Sequence, residues 1–338
     1  MTLAARLAAR PPARVLIVQT AFIGDTVFTS ALVRALGRRF PEAEIDVCVA
    51  PRGRDVALAF PGVGHVHVYD KRGADRGLSG LRRLAARLAT RQYPLAVLPH
   101  GSIRTALLAR LARIPERIGF ARAPGSFLYT GRVRTDERTF LRREAALAAA
   151  LGALPEGMRL VPRAEWIGAA RARLAEARGE KLAAVCLGSE WPTKIWPARH
   201  VAGLTRILAE SGLRPVLLGG ERERALAREI GGAAGCIDTT GNSVGEALAI
   251  LSRSAIAVGG DSGLVHAARA LGIPTVAVFG PTSADVHLFG PRERAVTLNL
   301  SCSPCSVHGS LRCPLGHHRC LDDLEAERVA AACREVLA

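Results

Sequence analysis

Several groups of residues in this sequence have the types and spacing that chemistry needs. The richest runs from Ala255 to Gly280, AIAVGGDSGLVHAARALGIPTVAVFG. Its apolar start reads as a buried strand, Gly259-Gly260-Asp261-Ser262-Gly263 as a glycine-rich turn, and a helix follows from about Leu264. Such a turn leaves backbone N–H groups at a helix N-terminus, where the helix dipole also favours negative charge. A phosphate or pyrophosphate fits there. Asp261 would repel a phosphate, so it is better used to accept hydrogen bonds from sugar hydroxyls beside it. Asp261 or Ser262 can equally serve as a plain helix cap. His266, one turn further on, can donate to phosphate or be an ordinary partly buried histidine.

Upstream, the loop Gly188–Pro197, GSEWPTKIWP, concentrates two of the chain's three tryptophans and one of its three lysines. Lys194 between Trp191 and Trp196 reads as a mobile point charge suited to a phosphate. Glu221 follows Gly219-Gly220 at a strand end, where a carboxylate can take ribose hydroxyls or simply favour a helix start. Near the N-terminus, Asp25 stands where a loop meets a helix; it is either an N-cap or a functional carboxylate, and Gly24 before it suggests close approach to the backbone. His100, Ser102 and Arg104 follow another strand end and can share a rim with Asp25. In the tail, Cys302, Cys305, Cys313 and Cys320 begin with a CxxC spacing, so a structural zinc knuckle is one reading and a turned loop of reduced thiols the other.

These groups need rigid elements beneath them. Strands are expected at Arg14–Val18, Glu44–Ala50, His65–Tyr69 and Leu95–Leu98, with helices at Thr26–Arg39, Asp55–Phe60, Leu78–Thr90, Arg104–Arg113 and Thr139–Leu151. Arg117–Val133 reads as loop or short strands, and Pro155–Pro162 as a link between domains. The second half restarts the alternation, with strands at Ala183–Leu187, Pro215–Leu218, Cys236–Ile237 and Thr275–Phe279, and closes on a helix, Asp322–Leu337, with an acidic first turn. The pattern implies an α/β protein of two Rossmann-like domains, 1–160 and 161–338, facing each other. No GxGxxG follows the first strand, which argues against a nicotinamide enzyme.

The 338 residues are 49% apolar, and no run reaches the length of a membrane span. The first ten residues lack a signal peptide's apolar core, which points to a cytoplasmic protein, and the cysteines then argue against a disulfide framework. The net charge of +16 is uneven: Met1–Leu160 holds 26 basic and 12 acidic residues, Val161–Ala338 holds 20 and 18. The N-terminal half should attract anions, whether nucleic acid, lipid headgroups or phosphorylated sugars. A non-catalytic nucleic-acid-binding protein is disfavoured, because aromatics total 4% and none interleave with the basic residues.

With these residues assembled, the chain resembles glycosyltransferase family 9, the heptosyltransferases, and most of all its heptosyltransferase II type. The motifs are FIGDTVFTSAL (22–32), LGSEWPTKIWP (187–197), GGDSGLVHAARALGIPTVAVFGPT (259–282) and CPLGHHRCL (313–321). The resemblance implies a GT-B fold and an inverting, metal-independent transfer of heptose from ADP-heptose to the inner core of lipopolysaccharide. It implies Asp25 as general base. Ser189, Thr193 and Lys194 would hold the donor phosphates, Glu221 the ribose, and Asp261 the heptose hydroxyls. Ser262, Gly263 and His266 would hold the pyrophosphate. Gly24, Ser102 and Arg104 are candidates for the acceptor side. A monomer, peripheral to the inner face of the cytoplasmic membrane and without nucleic acid, is expected; a related transferase with another donor or acceptor is the alternative.

Overall fold

The computed structural model describes residues 3–177, 179–231 and 235–338. The chain forms two compact units, Met1–Val161 and Pro162–Ala338. The first is built on β1 (Arg14–Gln19), β2 (Glu44–Val49), β3 (Val63–Val68), β4 (Leu95–Leu98), β5 (Glu116–Phe120) and β6 (Gly131–Val133). All pair in parallel, in the order β3-β2-β1-β4-β5-β6. Helices cover both faces, so β1 and β4 read as unbroken apolar runs and not as alternation.

The second unit repeats this plan. Its strands are β7 (Leu182–Cys186), β8 (Arg214–Leu218), β9 (Ile237–Asp238), β10 (Ser254–Gly260), β11 (Thr275–Val278) and β12 (Glu293–Val296). Their order is β12-β11-β10-β7-β8-β9, again all parallel. Counted within each unit, both sheets have the order 3-2-1-4-5-6, which reverses between the first and fourth strands. Open α/β sheets bind ligands beyond the carboxyl ends of the strands at that reversal. The sites to inspect are therefore the loops after β1 and β4, and after β7 and β10.

Arg117–Val133, read as loop or short strands, holds most of β5 and all of β6: Ile118, Gly119 and Phe120 are buried, and the Arg117 guanidinium turns back to the carbonyls of Ile114, Pro115 and Leu128. Two elements depart from the sequence reading. Gly259 and Gly260 belong to β10, which leaves Asp261 and Ser262 as the turn and starts the helix at Gly263 (Gly263–Ala270). The closing helix is broken into Arg319–Asp322 and Ala326–Leu337, because buried Leu324 gives its carbonyl to Trp196 Nε1 at 2.9 Å. Asp322 and Asp323 then lie before the main helix, and Glu325 is its N-cap. The Pro155–Pro162 segment has no helix or strand; it is tied to the first unit by Arg34 on the Gly157 carbonyl (2.7 Å) and by Val161 N–H on Ala59 O (2.9 Å). Among the described residues no helix is long and apolar enough to cross a membrane.

Candidate active site

In the second unit the reversal lies between β7 and β10. Lys194, in the loop leaving β7, reaches Asp261 at the end of β10, with Nζ 2.8 Å from Oδ2. The glycines of β10 allow this approach. A Cβ on Gly260 would stand 2.6 Å from the Lys194 carbonyl oxygen, and one on Gly259 would stand 2.5 Å from that of Cys186. Asp261 is buried, and it also takes the Thr282 hydroxyl on Oδ2 at 2.8 Å and His266 Nε2 on Oδ1 at 3.0 Å. Burial alone would raise its pKa. The His266 hydrogen bond and the Lys194 ammonium outweigh that and hold the carboxyl well below its ordinary range. Burial keeps His266 and His287, whose rings stand 4.5 Å apart, neutral; His287 is pushed down to about 2.

Asp261 therefore has donors of its own, and its geometry is that of an anchor for Lys194. Ser262 is the N-cap of Gly263–Ala270 by position, with extended backbone, but its side chain makes no capping bond. Its Oγ is buried and has no hydrogen-bond partner among the described residues. A polar atom in that condition at a helix N-terminus, beside an ammonium, suits an anion.

Other expected donor residues are placed differently. Glu221 has a mostly exposed carboxylate paired with Arg224 at 2.8 Å. Glu223 instead folds back on the strand end, accepting the Gly220 N–H at 2.7 Å. Thr193 has its hydroxyl committed to the tail: it donates to Ser310 O at 2.8 Å and accepts the Ser310 N–H at 2.9 Å. Ser189 Oγ sits 3.5 Å from the Trp191 N–H. Trp196 is a core side chain.

The cysteines of the tail are free thiols, Cys320 buried and Cys305 exposed. Among the described residues the group of three ligand atoms close enough to share an ion is Asp261, His266 and His287, within 4.8 Å of one another. The zinc expected on Cys302, Cys305, Cys313 and Cys320 finds no support in this geometry. What the tail does is grip the lysine loop. Besides the Ser310–Thr193 pair, His318 Nε2 bonds Thr193 O at 2.8 Å, and Gly309, at φ +99°, admits Trp191 and the Lys194 stem where a Cβ would stand 2.7 Å and 2.9 Å from them. The Asp261 group does not suit a metal either, since the Lys194 ammonium already supplies a cation 2.8 Å from Oδ2.

In the first unit, the reversal lies between β1 and β4, and Thr20 Oγ1 meets His100 Nδ1 across it at 3.1 Å. Asp25 is not the N-cap; it lies in the first turn of the helix Ile23–Arg39, half-buried, where its carboxylate accepts the Phe22 N–H at 3.2 Å. Burial and the charge of Lys71 hold His100 below its ordinary pKa, against the pull of Asp25. Ser102 caps the helix Ile103–Leu111, accepting from Thr105 N at 3.1 Å, and Arg104 is exposed next to Tyr69. Gly24 lies in the same first turn as Asp25.

Sequence reasoning passed over Thr282, Arg269, Glu293 and His287. Thr282 follows β11 inside a quoted motif. Arg269 stands three residues after His266 and so on the same face of the helix, the signal that could have joined it to the site.

Two doubly wound units of this strand order are the GT-B class of α/β fold, and the protein is a glycosyltransferase. More particularly, the chain belongs to glycosyltransferase family 9 (heptosyltransferase), whose model matches residues 81–314, a span that contains Lys194, Asp261 and His266. It is 27% identical to the lipooligosaccharide heptosyltransferase 2 of Haemophilus ducreyi, covering 96% of this chain and 99% of that one. Its fold is similar to that of E. coli ADP-heptose LPS heptosyltransferase II (TM-score 0.79, 24% identity, 96% and 98% covered). It is also similar to an E. coli heptosyltransferase solved with ADP-2-deoxy-2-fluoro heptose (TM-score 0.72, 22% identity, 95% and 99% covered).

Proposed function

We propose that this protein transfers heptose from ADP-heptose to a hydroxyl of the lipopolysaccharide inner core, with inversion at the anomeric carbon. The observation that carries this reading is the end of β10: Lys194 held at Asp261, and next to it the buried Ser262 hydroxyl at a helix N-terminus, without a partner among the described residues. That assembly suits a diphosphate leaving group. Inversion is one in-line displacement, so it needs one base and one stabilised leaving group. Asp25 takes the proton of the acceptor hydroxyl as its oxygen attacks the anomeric carbon. The bond from that carbon to the phosphate oxygen breaks, and ADP departs. The charge it develops is met by the Lys194 ammonium, the Ser262 hydroxyl and the N–H groups of Gly263 and its neighbours. Glu221 and Glu223 stand at the strand end where a ribose would lie, Glu221 with its carboxylate open to solvent. The names of the relatives, heptosyltransferase 2 and ADP-heptose heptosyltransferase II, support the donor and the acceptor class.

The basic first unit, with Gly24 next to Asp25 in sequence and with Ser102 and Arg104 after β4, would face the anionic acceptor, and the protein would work as a monomer at the inner face of the cytoplasmic membrane. The test is Asp25→Ala: transfer should fall by at least roughly a thousandfold, as befits a lost general base in a single-step displacement, while ADP affinity stays near that of the parent. Full turnover by that variant overturns the base assignment. A thermal-shift series with ADP, UDP and GDP tests the donor, because a ligand that binds only the folded state raises its melting temperature. Stabilisation by UDP in preference to ADP would point to another nucleotide sugar.

A further inference from the structure

Behind Asp261 runs a chain of buried charges that the transfer reaction as written above does not use. Arg269, on the helix Gly263–Ala270, has a side chain only 1% exposed. Its Nε donates to Glu293 Oε2 at 2.9 Å, its Nη2 to the Leu288 carbonyl, and its guanidinium lies 4.6 Å from the centre of the Phe289 ring. Glu293 is fixed in turn by the Gly290 N–H at 2.9 Å. The remaining nitrogen, Nη1, points at His266 Nδ1, 3.2 Å away.

A guanidinium has only donors. His266 Nδ1 must therefore be the lone-pair nitrogen, and the ring proton sits on Nε2. That proton goes to Asp261 Oδ1 at 3.0 Å, which leaves Oδ2 for the Lys194 ammonium and the Thr282 hydroxyl, each at 2.8 Å. Burial, and then the cations around the ring, oppose a second proton on it. Arg269 and Lys194 face it, the neutral His287 ring lies tilted 4.5 Å from it, and Asp261 is the carboxylate it touches.

We infer that Arg269, braced by Glu293, is a positioning residue for the donor diphosphate: it locks His266 as the neutral Nε2–H tautomer, and through it sets the Asp261 oxygen that holds Lys194. The inference rests on the donor reading above for the identity of the ligand, but the locked tautomer does not. The same lock keeps His266 from acting as a proton donor from Nδ1, or as a metal ligand through Nε2, because no lone pair remains there.

The direct test is long-range proton–nitrogen NMR of the whole protein labelled at histidine nitrogens, with His266→Gln to assign the signals. The expected result is a neutral Nε2–H ring across pH 6 to 8. An Nδ1–H or doubly protonated ring overturns the inference, whatever the variants do. The second test removes the donor and its counter-charge together, in the double variant Arg269→Met with Glu293→Gln, which leaves no buried carboxylate unpaired. ADP affinity should fall roughly tenfold, the scale of one charge-assisted hydrogen bond. In the NMR of the same variant the His266 Nδ1 signal should move, because its donor is gone, while the parent signal stays. A folded double variant with parental ADP affinity and an unmoved His266 Nδ1 signal would refute the positioning role. Arg269→Lys keeps a charge and one donor but not the planar fork that reaches Glu293, Leu288 and His266 together, so it should recover only part of the affinity lost in the double variant. A locked tautomer and the expected ADP losses, together with no heptose transfer, would sink the donor-sugar reading and leave this inference standing.

Discussion

Glu144 is a side chain whose protonation state the fold changes. It lies on the helix Phe140–Ala150, buried against Ile23–Arg39, with one oxygen 3.4 Å from the Thr29 hydroxyl and the other without a partner among the described residues. The Thr29 hydrogen goes to the Asp25 carbonyl at the shorter distance of 3.0 Å. A carboxylate there would have almost no donors, so the group is a neutral acid. Burial, reinforced by the Asp25 charge, pushes its pKa from 4.5 up to about 8. Between those two values the folded chain binds a proton that the unfolded chain has lost, so stability falls as pH rises through the window. Glu144→Gln removes the dependence. Its melting temperature should match the parent near pH 4.5 and exceed it at pH 8, on the order of several degrees. Equal differences at both pH values in thermal denaturation would contradict the neutral acid. Nothing in the sequence marked Glu144, since one glutamate in an alanine-rich helix gives no sign of which face it occupies.

The β10 strand and the loop after β7 work as one element. The glycine pair was read from the sequence as a phosphate turn; its role in the fold is to let the Lys194 backbone lie against the strand. Gly260→Ala forces the Lys194 carbonyl away from a Cβ that would stand 2.6 Å from it. Since a displacement of about 1 Å can cost up to a hundredfold in a positioned site, ADP binding by calorimetry should weaken roughly tenfold to a hundredfold. Gly37→Ala is the control: nothing lies within 4 Å of its Cβ, and a helical Gly→Ala change should leave ADP affinity alone and stabilise the fold by about 0.5–1 kcal/mol. The cysteine-rich tail belongs to this element too. Its spacing suggested metal, yet Ser310 and His318 bond Thr193 directly. Backbone-to-side-chain clamps of this kind leave no mark in residue spacing.

Both units share one strand order, but their charges differ sharply, with nearly all of the +16 excess in the first 160 residues. Few of those arginines face carboxylates deep in the fold, so their field is screened by salt over roughly 8–10 Å at physiological ionic strength. Raising salt should therefore raise the KM for an anionic acceptor several-fold while moving ADP affinity much less. Steady-state kinetics with both substrates at two ionic strengths reads this, and equal shifts in the two would argue against a basic acceptor-binding unit.

The alternation of apolar runs and amphipathic helices was enough by itself to define two doubly wound units, because buried parallel strands and their covering helices each write a period into the chain. The motifs marked Lys194, Asp261, Ser262 and His266 as candidates, since a phosphate site would need glycine, a cation and a helix start close together in sequence. Which of these bonds which was decided only in three dimensions. Asp261 turns inward to Lys194 and His266, Thr193 is spent on the tail, and Arg269 and Glu293 join the site from positions 24 residues apart. A buried polar group takes whichever donors the packing brings within 3 Å, and that distance is a property of the assembled sheet and not of the residue's neighbours along the chain.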